Sequence, residues 1–321
     1  MAGPPRVVAL SGGVGGARLA DGLARRLPAE RLTIVVNTAD DFRRYGLHIS
    51  PDVDTVLYTL AGRANPATGW GLAGDSDQVM RALIELGDDA WFQLGDRDLA
   101  THLARTAALA EGLSLTTFTY RLAAALGVGP AVLPMSDEPV ATIITTAEGD
   151  RDFQTWFVRQ RCQPEAVALR YAGAAAARPT AAVLRALAKA QVVVVGPSNP
   201  FLSIGPMLAL DGFRVALAAS PATKVAVSPV IAGQALKGPA TEMLRRLAGG
   251  SGALDVARLY AGLLDGFVVD TADAAQVPPI EALGMKVLAT DIRIPEPADR
   301  ARLAAETLAF AGHLAAARAG A

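Results

Sequence analysis

The chain has 321 residues, of which 51% are apolar and 19% charged, and its net charge is −1. That length allows one large α/β domain or two smaller ones, and the composition excludes disorder. The charge balance leaves no basic footprint for nucleic acid and no polybasic membrane patch, and a single cysteine, Cys162, excludes a disulfide framework.

Residues 7–10 form a short, wholly apolar run, the pattern of a parallel strand buried on both faces. They are too short for a signal h-region, and no stretch is long enough to span a bilayer, so a cytoplasmic location is expected. The segment Ser11-Gly12-Gly13-Val14-Gly15-Gly16-Ala17-Arg18 follows. Residues 17–27 carry helical periodicity through Leu19, Leu23 and Leu27, and Pro28 closes them. A second buried strand is expected at 32–36. Two polar segments come next, Asn37-Thr38-Ala39-Asp40-Asp41 and Ser50-Pro51-Asp52-Val53-Asp54-Thr55. A helix capped near Asp52 is expected over 53–60, a helix over 79–86 and a strand over 91–94. This rhythm predicts an α/β fold with a Rossmann-like parallel sheet and helices on both faces.

The pattern changes between about 115 and 175. Apolar runs at 131–133, 140–146 and 166–171 are broken by Pro134, Pro139, Gly149 and Pro164. This stretch reads as an inserted α+β layer over the active site, within a single domain of 1–321. The parallel rhythm then resumes. A helix is expected at 181–190, a buried strand at 192–195 and weaker strands at 214–218 and 224–227. Strands at 267–269 and 286–289 and an alanine-rich helix at 297–317 end the pattern.

The glycine-rich segment fits neither common nucleotide fingerprint. Arg18 stands where a dinucleotide-binding G-x-G-x-x-G needs its third glycine, and no Gly-Lys-Ser/Thr follows as a P-loop requires. Gly12, Gly13, Gly15 and Gly16 still follow a buried strand and precede a helix, a context that turns backbone N–H groups toward phosphate. Arg18 would add a charge-assisted contact. Asn37 is assigned to the same substrate-binding set.

Asp40, Asp41, Asp52 and Asp54 could each be an ordinary cap or turn residue. Both acidic segments, however, leave the carboxyl edge of the expected sheet, where such sheets bind ligands. Carboxylates gathered near phosphate call for a hard cation, so Asp40 and Asp54 are the expected ligands of Mg²⁺.

Gly95-Asp96-Arg97-Asp98 starts a helix. Either aspartate could cap it, and Arg97 could pair with the flanking carboxylates or point at a substrate. His102, within that helix, reads as packing; His48 is a weak candidate, and His313 reads as structural. Ser198 and Asn199 put donors and acceptors at the end of the 192–195 strand. Lys237-Gly238-Pro239 could carry a positive charge toward phosphate or form a surface turn. Phe153, Trp156 and Phe157 could cover a flat ring or form the insert's own core.

Taken in order, these motifs resemble the 2-phospho-L-lactate transferase family (CofD, called FbiA in actinobacteria). The likeness runs from Ser11-Gly12-Gly13 through both acidic segments and Leu94-Gly95-Asp96-Arg97-Asp98. It continues through Leu133-Pro134-Met135-Ser136-Asp137, Gly196-Pro197-Ser198-Asn199-Pro200, Ser203-Ile204-Gly205-Pro206 and Ser228-Pro229-Val230-Ile231. The resemblance implies a donor in which a phospho-carboxylate (phospholactyl, phosphoenolpyruvyl or phosphoglyceryl) is joined to GMP through a diphosphate. It implies the ribityl hydroxyl of the deazaflavin Fo as acceptor, GMP as leaving group and a homodimer. By the same likeness, the glycine-rich loop and Arg18 hold the diphosphate, and Asp40 and Asp54 bind Mg²⁺. Arg97 faces the acceptor or the transferring phosphoryl group, and Ser198 and Asn199 place the guanosine. Asp54 is a ligand, a general base or both.

A related family of nucleotide-sugar-binding regulators of carbon flux also resembles this chain at the glycine-rich loop and Asp40-Asp41. There a glycine- and serine-rich stretch usually follows the two aspartates. Phe42-Arg43-Arg44-Tyr45-Gly46 stands here instead and favours the transferase. An NAD-dependent oxidoreductase is excluded by the missing third glycine.

Overall fold

The computed structural model describes residues 3–235 and 239–320. Lys237 and Gly238 of the Lys237-Gly238-Pro239 segment lie outside the described residues. In chain order the first elements are strand β1 (Val7–Ser11), helix α1 (Gly13–Ala24) and strand β2 (Leu32–Val36). A hairpin of β3 (Phe42–Arg44) and β4 (Leu47–Ile49) precedes α2 (Pro51–Leu60), α3 (Gln78–Glu85), α4 (Asp96–Ala110) and α5 (Leu115–Leu126). Strand β5 (Ala131–Pro134) follows, then β6 (Ala141–Thr146), β7 (Gly149–Asp152) and β8 (Ala166–Ala172). The last strands are β9 (Val192–Val195), β10 (Thr223–Val227), the short β11 (Val230–Ile231) and β12 (Gln234–Ala235), β13 (Gly266–Asp270) and β14 (Lys286–Thr290).

Seven strands form one sheet in the order β14-β13-β10-β9-β1-β2-β5, and every neighbouring pair is parallel. Successive side chains of a strand point to opposite faces. Val8, Leu10, Val193, Val195, Phe267 and Val269 pack into one core. Their neighbours Val7, Ala9, Val192, Val194 and Val268 pack into the other. Helices cover both faces, which is why these strands read as unbroken apolar runs rather than alternating ones. On one side lie α1, α2, α5 and the C-terminal helix Pro297–Ala319. Helices Ala181–Lys189, Phe213–Ala219, Ala240–Ala248 and Ala253–Leu259 lie on the other.

Three expectations need correction. Residues 214–218 belong to a helix, Phe213–Ala219: its apolar residues include Phe213 and Leu217, four apart, both buried in the core. Residues 91–94 form no strand but an irregular segment, held by edge-to-face packing of Phe42, Trp91 and Phe92. The insert is also shorter than 115–175. Helix α5 and strand β5 belong to the main domain, where β5 pairs with β2 at the sheet edge.

The antiparallel sheet β7-β6-β8 is the inserted layer. It has its own small core around Ile144, Phe153, Trp156 and Ala166, and Trp156 donates its ring N–H to the Pro164 carbonyl at 2.7 Å. The insert is tied to the loop after β2: the Thr142 N–H donates to the Ala39 carbonyl at 2.9 Å and Gln154 Nε2 to the Asp40 carbonyl at 3.2 Å. No single helix among the described residues is long and apolar enough to cross a membrane.

Candidate active site

Strand order reverses between β1 and β9, and open α/β sheets bind ligands at the carboxyl ends of the strands at such a point. A cavity of about 510 Å³ lies at this edge. Its wall is built from the loops after β1 and β9, the start of α2, the 91–94 segment, α4 and the insert.

The glycine-rich segment is mostly helix. Helix α1 starts at Gly13 with Gly12 as its N-cap, and Gly12, Gly13, Val14 and Gly15 line the cavity. First-turn N–H groups have no acceptor within their own helix, and the positive end of the helix dipole sits there. Two of the local N–H groups already have partners. Gly13 donates to Asp52 Oδ1 at 2.8 Å, and Gly12 donates to Ser198 Oγ at 3.1 Å. Ser198 Oγ in turn donates to the Gly12 carbonyl at 2.9 Å, so the β1 and β9 loops are joined directly. Gly15 is dictated by contact, because a Cβ there would collide with the Pro197 carbonyl oxygen. Gly13 is dictated by its backbone, with φ at +62°.

Asp52 does not cap α2; the N-cap is Ser50 and makes no side-chain cap bond. Instead Asp52 accepts from Gly13 and, through Oδ2, from Asn37 Nδ2 at 3.0 Å. Burial raises its carboxyl to about 6, against the pull of those two donors, and the Asp41 charge adds to the rise. Asp40 is also pushed well above the usual aspartate range, first by burial and then by the charges of Asp52 and Asp41. Its Oδ1 is buried without a hydrogen-bond partner among the described residues. Asp41 accepts from Ser50 Oγ at 2.6 Å and lies 3.0 Å from His48 Nε2.

A second group converges from α2 and α4. Ligand atoms of Asp54, Asp98 and His102 lie within 4.8 Å of one another, and all three residues are buried. Arg105, with no exposure at all, binds Asp54 Oδ1 and leaves Oδ2 buried without a hydrogen-bond partner among the described residues, 3.7 Å from His102 Nδ1. Tyr58 donates its hydroxyl to Asp98 Oδ1 at 2.7 Å. Burial raises the Asp54 carboxyl, with Arg105 and His102 opposing the shift.

Of the residues expected at the site, Gly12, Gly13, Gly15, Asp40, Asp54, Ser198 and Asn199 line the cavity. Gly16 lies behind, against the Ser11 and Ser198 hydroxyls. Asn37 is fully buried and holds Asp52. Asn199 Oδ1 caps the helical turn that follows, accepting from the Phe201 and Leu202 N–H groups.

Two arginines are not brought to the cavity. Arg18 projects from α1 toward the C-terminal helix, where burial and then Arg300 lower its guanidinium and Glu296 opposes them. Arg97 is 59% exposed and binds the Ala73 carbonyl and Asp75, 3.4 Å away, rather than its flanking carboxylates. Those carboxylates have other tasks. Asp96 accepts from the Gln78 and Val79 N–H groups at the start of α3, and Asp75 caps α4 through the N–H groups of Arg97 and Asp98. Among the described residues no lysine or arginine lines the cavity, while Asp40, Asp52, Asp54 and Asp98 do.

Asp98, His102, Arg105 and Tyr58 were not assigned to the site from the sequence. Their signal is spacing: residues 98, 102 and 105 share one helical face with buried Leu99, so charge interrupts an apolar stripe. Among the aromatics, Phe153 and Phe157 stack at 5.2 Å with 9° between their planes and line the cavity with Trp70, Trp91 and Phe92. Trp156 belongs to the insert's core.

Comparison with known proteins agrees with this architecture. A Bacillus halodurans protein of the UPF0052 family has the same fold, with a TM-score of 0.63 at 17% identity, covering 96% of this chain and 99% of that one. The phosphoenolpyruvate transferase of Streptomyces griseus is 40% identical over 95% of this chain and 98% of its own length. The corresponding protein of Kitasatospora aureofaciens is 41% identical over the same shares. The 2-phospho-L-lactate transferase of Methanospirillum hungatei is 40% identical over 84% of this chain and 90% of its own. The family model for 2-phospho-L-lactate transferase CofD matches residues 7–299, and the chain belongs to that family as a transferase of the 2-phospho-L-lactate or phosphoenolpyruvate type.

Proposed function

We propose that the protein moves a phospho-carboxylate group from its GMP-diphosphate donor to the ribityl hydroxyl of Fo, forming a phosphodiester and releasing GMP. The carrying observation is the charge of the cavity. Four carboxylates and no described cationic side chain line a site that opens on a helix N-terminus. A polyanionic donor is compatible with such a wall only if a divalent cation comes with it.

The residues present fit a hard cation. Among the described residues, Asp40 Oδ1 and Asp54 Oδ2 are buried carboxylate oxygens without hydrogen-bond partners, both on residues of the cavity wall. Asp40 and Asp54 would hold Mg²⁺, which when bound would neutralise phosphate charge. The chain's own contribution is positioning. The N-terminus of α1 would meet the diphosphate, and the Ser198-Asn199 loop would place the guanosine half. Phe153, Phe157, Trp91 and Phe92 would bind the planar acceptor ring and exclude water. Alternatively, Asp54 Oδ2 would accept the proton of the attacking hydroxyl. Arg18 and Arg97 are left out of this assignment because neither lines the cavity.

Phosphoenolpyruvate is the acid we assign to the donor. The relatives named phosphoenolpyruvate transferase match 95% of this chain, against 84% for the Methanospirillum protein at the same identity. The family tends to form homodimers, and we place this protein in the cytoplasm as one.

Purified protein incubated with Fo, Mg²⁺ and donors carrying phosphoenolpyruvate, phospholactate or phosphoglycerate tests the reading by mass spectrometry. Released GMP with a phosphodiester product supports it, and the best donor names the acid. No product with any donor, together with tight binding of a nucleotide-sugar, would assign the protein to the regulators instead.

Magnesium binding has a pH signature. The Asp52 carboxyl rises from 3.8 to about 6 on folding, so the folded state holds its proton more tightly. The cation-free protein therefore loses that stability as pH rises from 3.8 to about 6. A cation removes the repulsion among the ionised carboxylates but must displace protons at low pH. At 100 times its dissociation constant it adds about 2.7 kcal/mol. For a chain of this length that is a melting shift of roughly 4 °C. Calorimetry should show this shift at about pH 7.5 and a clearly smaller one at about pH 5. Equal shifts at the two pH values would contradict cation binding by these carboxylates.

A further inference from the structure

We infer that Arg105 is a positioning residue for the transfer reaction, acting through Asp54; the inference rests on the role proposed for Asp54 above. Four observations meet at this side chain. Its Nη2 binds Asp54 Oδ1, a residue of the cavity wall. Its Nη1 lies 3.2 Å from the His48 carbonyl and 3.1 Å from His102 Nδ1. Its guanidinium lies 5.4 Å from the centre of the Phe118 ring. It is completely buried.

A guanidinium cannot accept a hydrogen bond, so Arg105 must donate to His102 Nδ1. The same ring lies 3.7 Å from Asp54 Oδ2 through Nδ1 and 3.5 Å from Asp98 Oδ2 through Nε2, so Arg105 and His102 together frame Asp54. Arg105 occupies Oδ1 and leaves Oδ2 as the Asp54 oxygen without a hydrogen-bond partner among the described residues.

The same arginine ties two acidic groups together. His48 sits on β4, and its N–H donates to Thr106 Oγ1 at 2.8 Å, one residue along α4 from Arg105. Its ring faces Asp41, the neighbour of Asp40. Helix α4 thus grips Asp54 through one nitrogen of Arg105, and through the other the hairpin next to Asp40. Lysine retains the charge but not the planar fork that makes both contacts at once.

The test is a double-mutant cycle with two readouts: Mn²⁺ binding followed by electron paramagnetic resonance, and steady-state transfer. Arg105→Lys should weaken Mn²⁺ binding and lower kcat by roughly 10- to 100-fold each, the usual effect of disturbing a partner of a ligating group. KM for Fo should stay near that of the parent. In an Asp54→Asn background, Arg105→Lys should change neither readout by more than about threefold, because a residue acting through another is not additive with it. Full additivity of the two substitutions would overturn the inference. So would Arg105→Lys with parental Mn²⁺ binding and kcat. Circular dichroism checks the fold, and Phe118→Leu gives a second, charge-neutral disturbance that should produce a weaker version of the same pattern if lysine is not tolerated. If the protein proves inactive with every donor, the Mn²⁺ cycle still decides for or against Arg105. If Asp54→Asn lowers transfer to a still measurable rate without changing Mn²⁺ binding, the metal role of Asp54 falls and the cycle in kcat decides.

Discussion

Asp54→Asn should lower kcat by at least about 10²–10³-fold, the cost of removing one preorganised charge from a phosphoryl or acyl transfer site. The substitution deletes the charge at Oδ2, the buried oxygen without a hydrogen-bond partner among the described residues, and keeps an amide oxygen able to accept from Arg105. The fold should therefore survive. Arg105 stays charged, so the ion pair becomes a hydrogen bond from the guanidinium to a neutral amide oxygen, at a cost of about 1–1.5 kcal/mol. Asp54→Ala differs in kind. It leaves the fully buried guanidinium with neither the charge nor any acceptor at this position, and breaking a buried pair in that way costs about 3–5 kcal/mol. Comparing the two variants by denaturant unfolding and by turnover separates chemistry from stability. Activity in Asp54→Asn within tenfold of the parent would exclude Asp54 as ligand or base.

The sheet was legible because burial on both faces writes a plain pattern. Val192–Val195 can only be a strand covered from two sides, and it became the strand beside β1. Residues 214–218 were misread because the four apolar residues that follow Arg214 satisfy either period, and only packing chose the helix. Residues 91–94 were misread for a related reason. Their aromatic residues suit a strand, but here they pack on Phe42 and line the cavity instead of joining the sheet.

The acidic segments pointed to the carboxyl edge of the sheet, where the cavity lies, because loops after parallel strands must end there. What the sequence did not carry was direction. Arg18 and Arg97 each stand beside a motif, and adjacency suggested contact with phosphate. Helix α1 turns Arg18 toward Glu296 and Arg300, and Asp75, some twenty residues upstream, takes Arg97. Conversely, Arg105 lies outside every motif, seven residues past Asp98 on α4, and touches Asp54 in space. A charge placed on the apolar face of a helix is the sign that would have revealed it.

Gly15→Ala should damage the site from a distance of two loops. The new Cβ would meet the Pro197 carbonyl oxygen, which is backbone and cannot rotate away as a side chain would. Either the N-terminus of α1 or the loop after β9 must move. Overpacking of this kind costs about 1–3 kcal/mol. The greater effect is functional. The Gly12–Ser198 hydrogen bonds hold the two loops together, and those loops carry the N–H groups and the Ser198-Asn199 pair assigned to the donor. A misplacement of about 1 Å is enough to cost roughly 10²-fold in kcat/KM. The loss should show mainly with the GMP-linked donor, and KM for Fo should change little. Gly13→Ala is the control, since nothing lies within 4 Å of a Cβ there and only the positive φ resists it. It should cost about 1–2 kcal/mol of stability, with a smaller kinetic effect. If Gly15→Ala keeps the parental kcat/KM for the donor, the close approach of the β1 and β9 loops serves packing alone, and the diphosphate must bind elsewhere on the cavity wall.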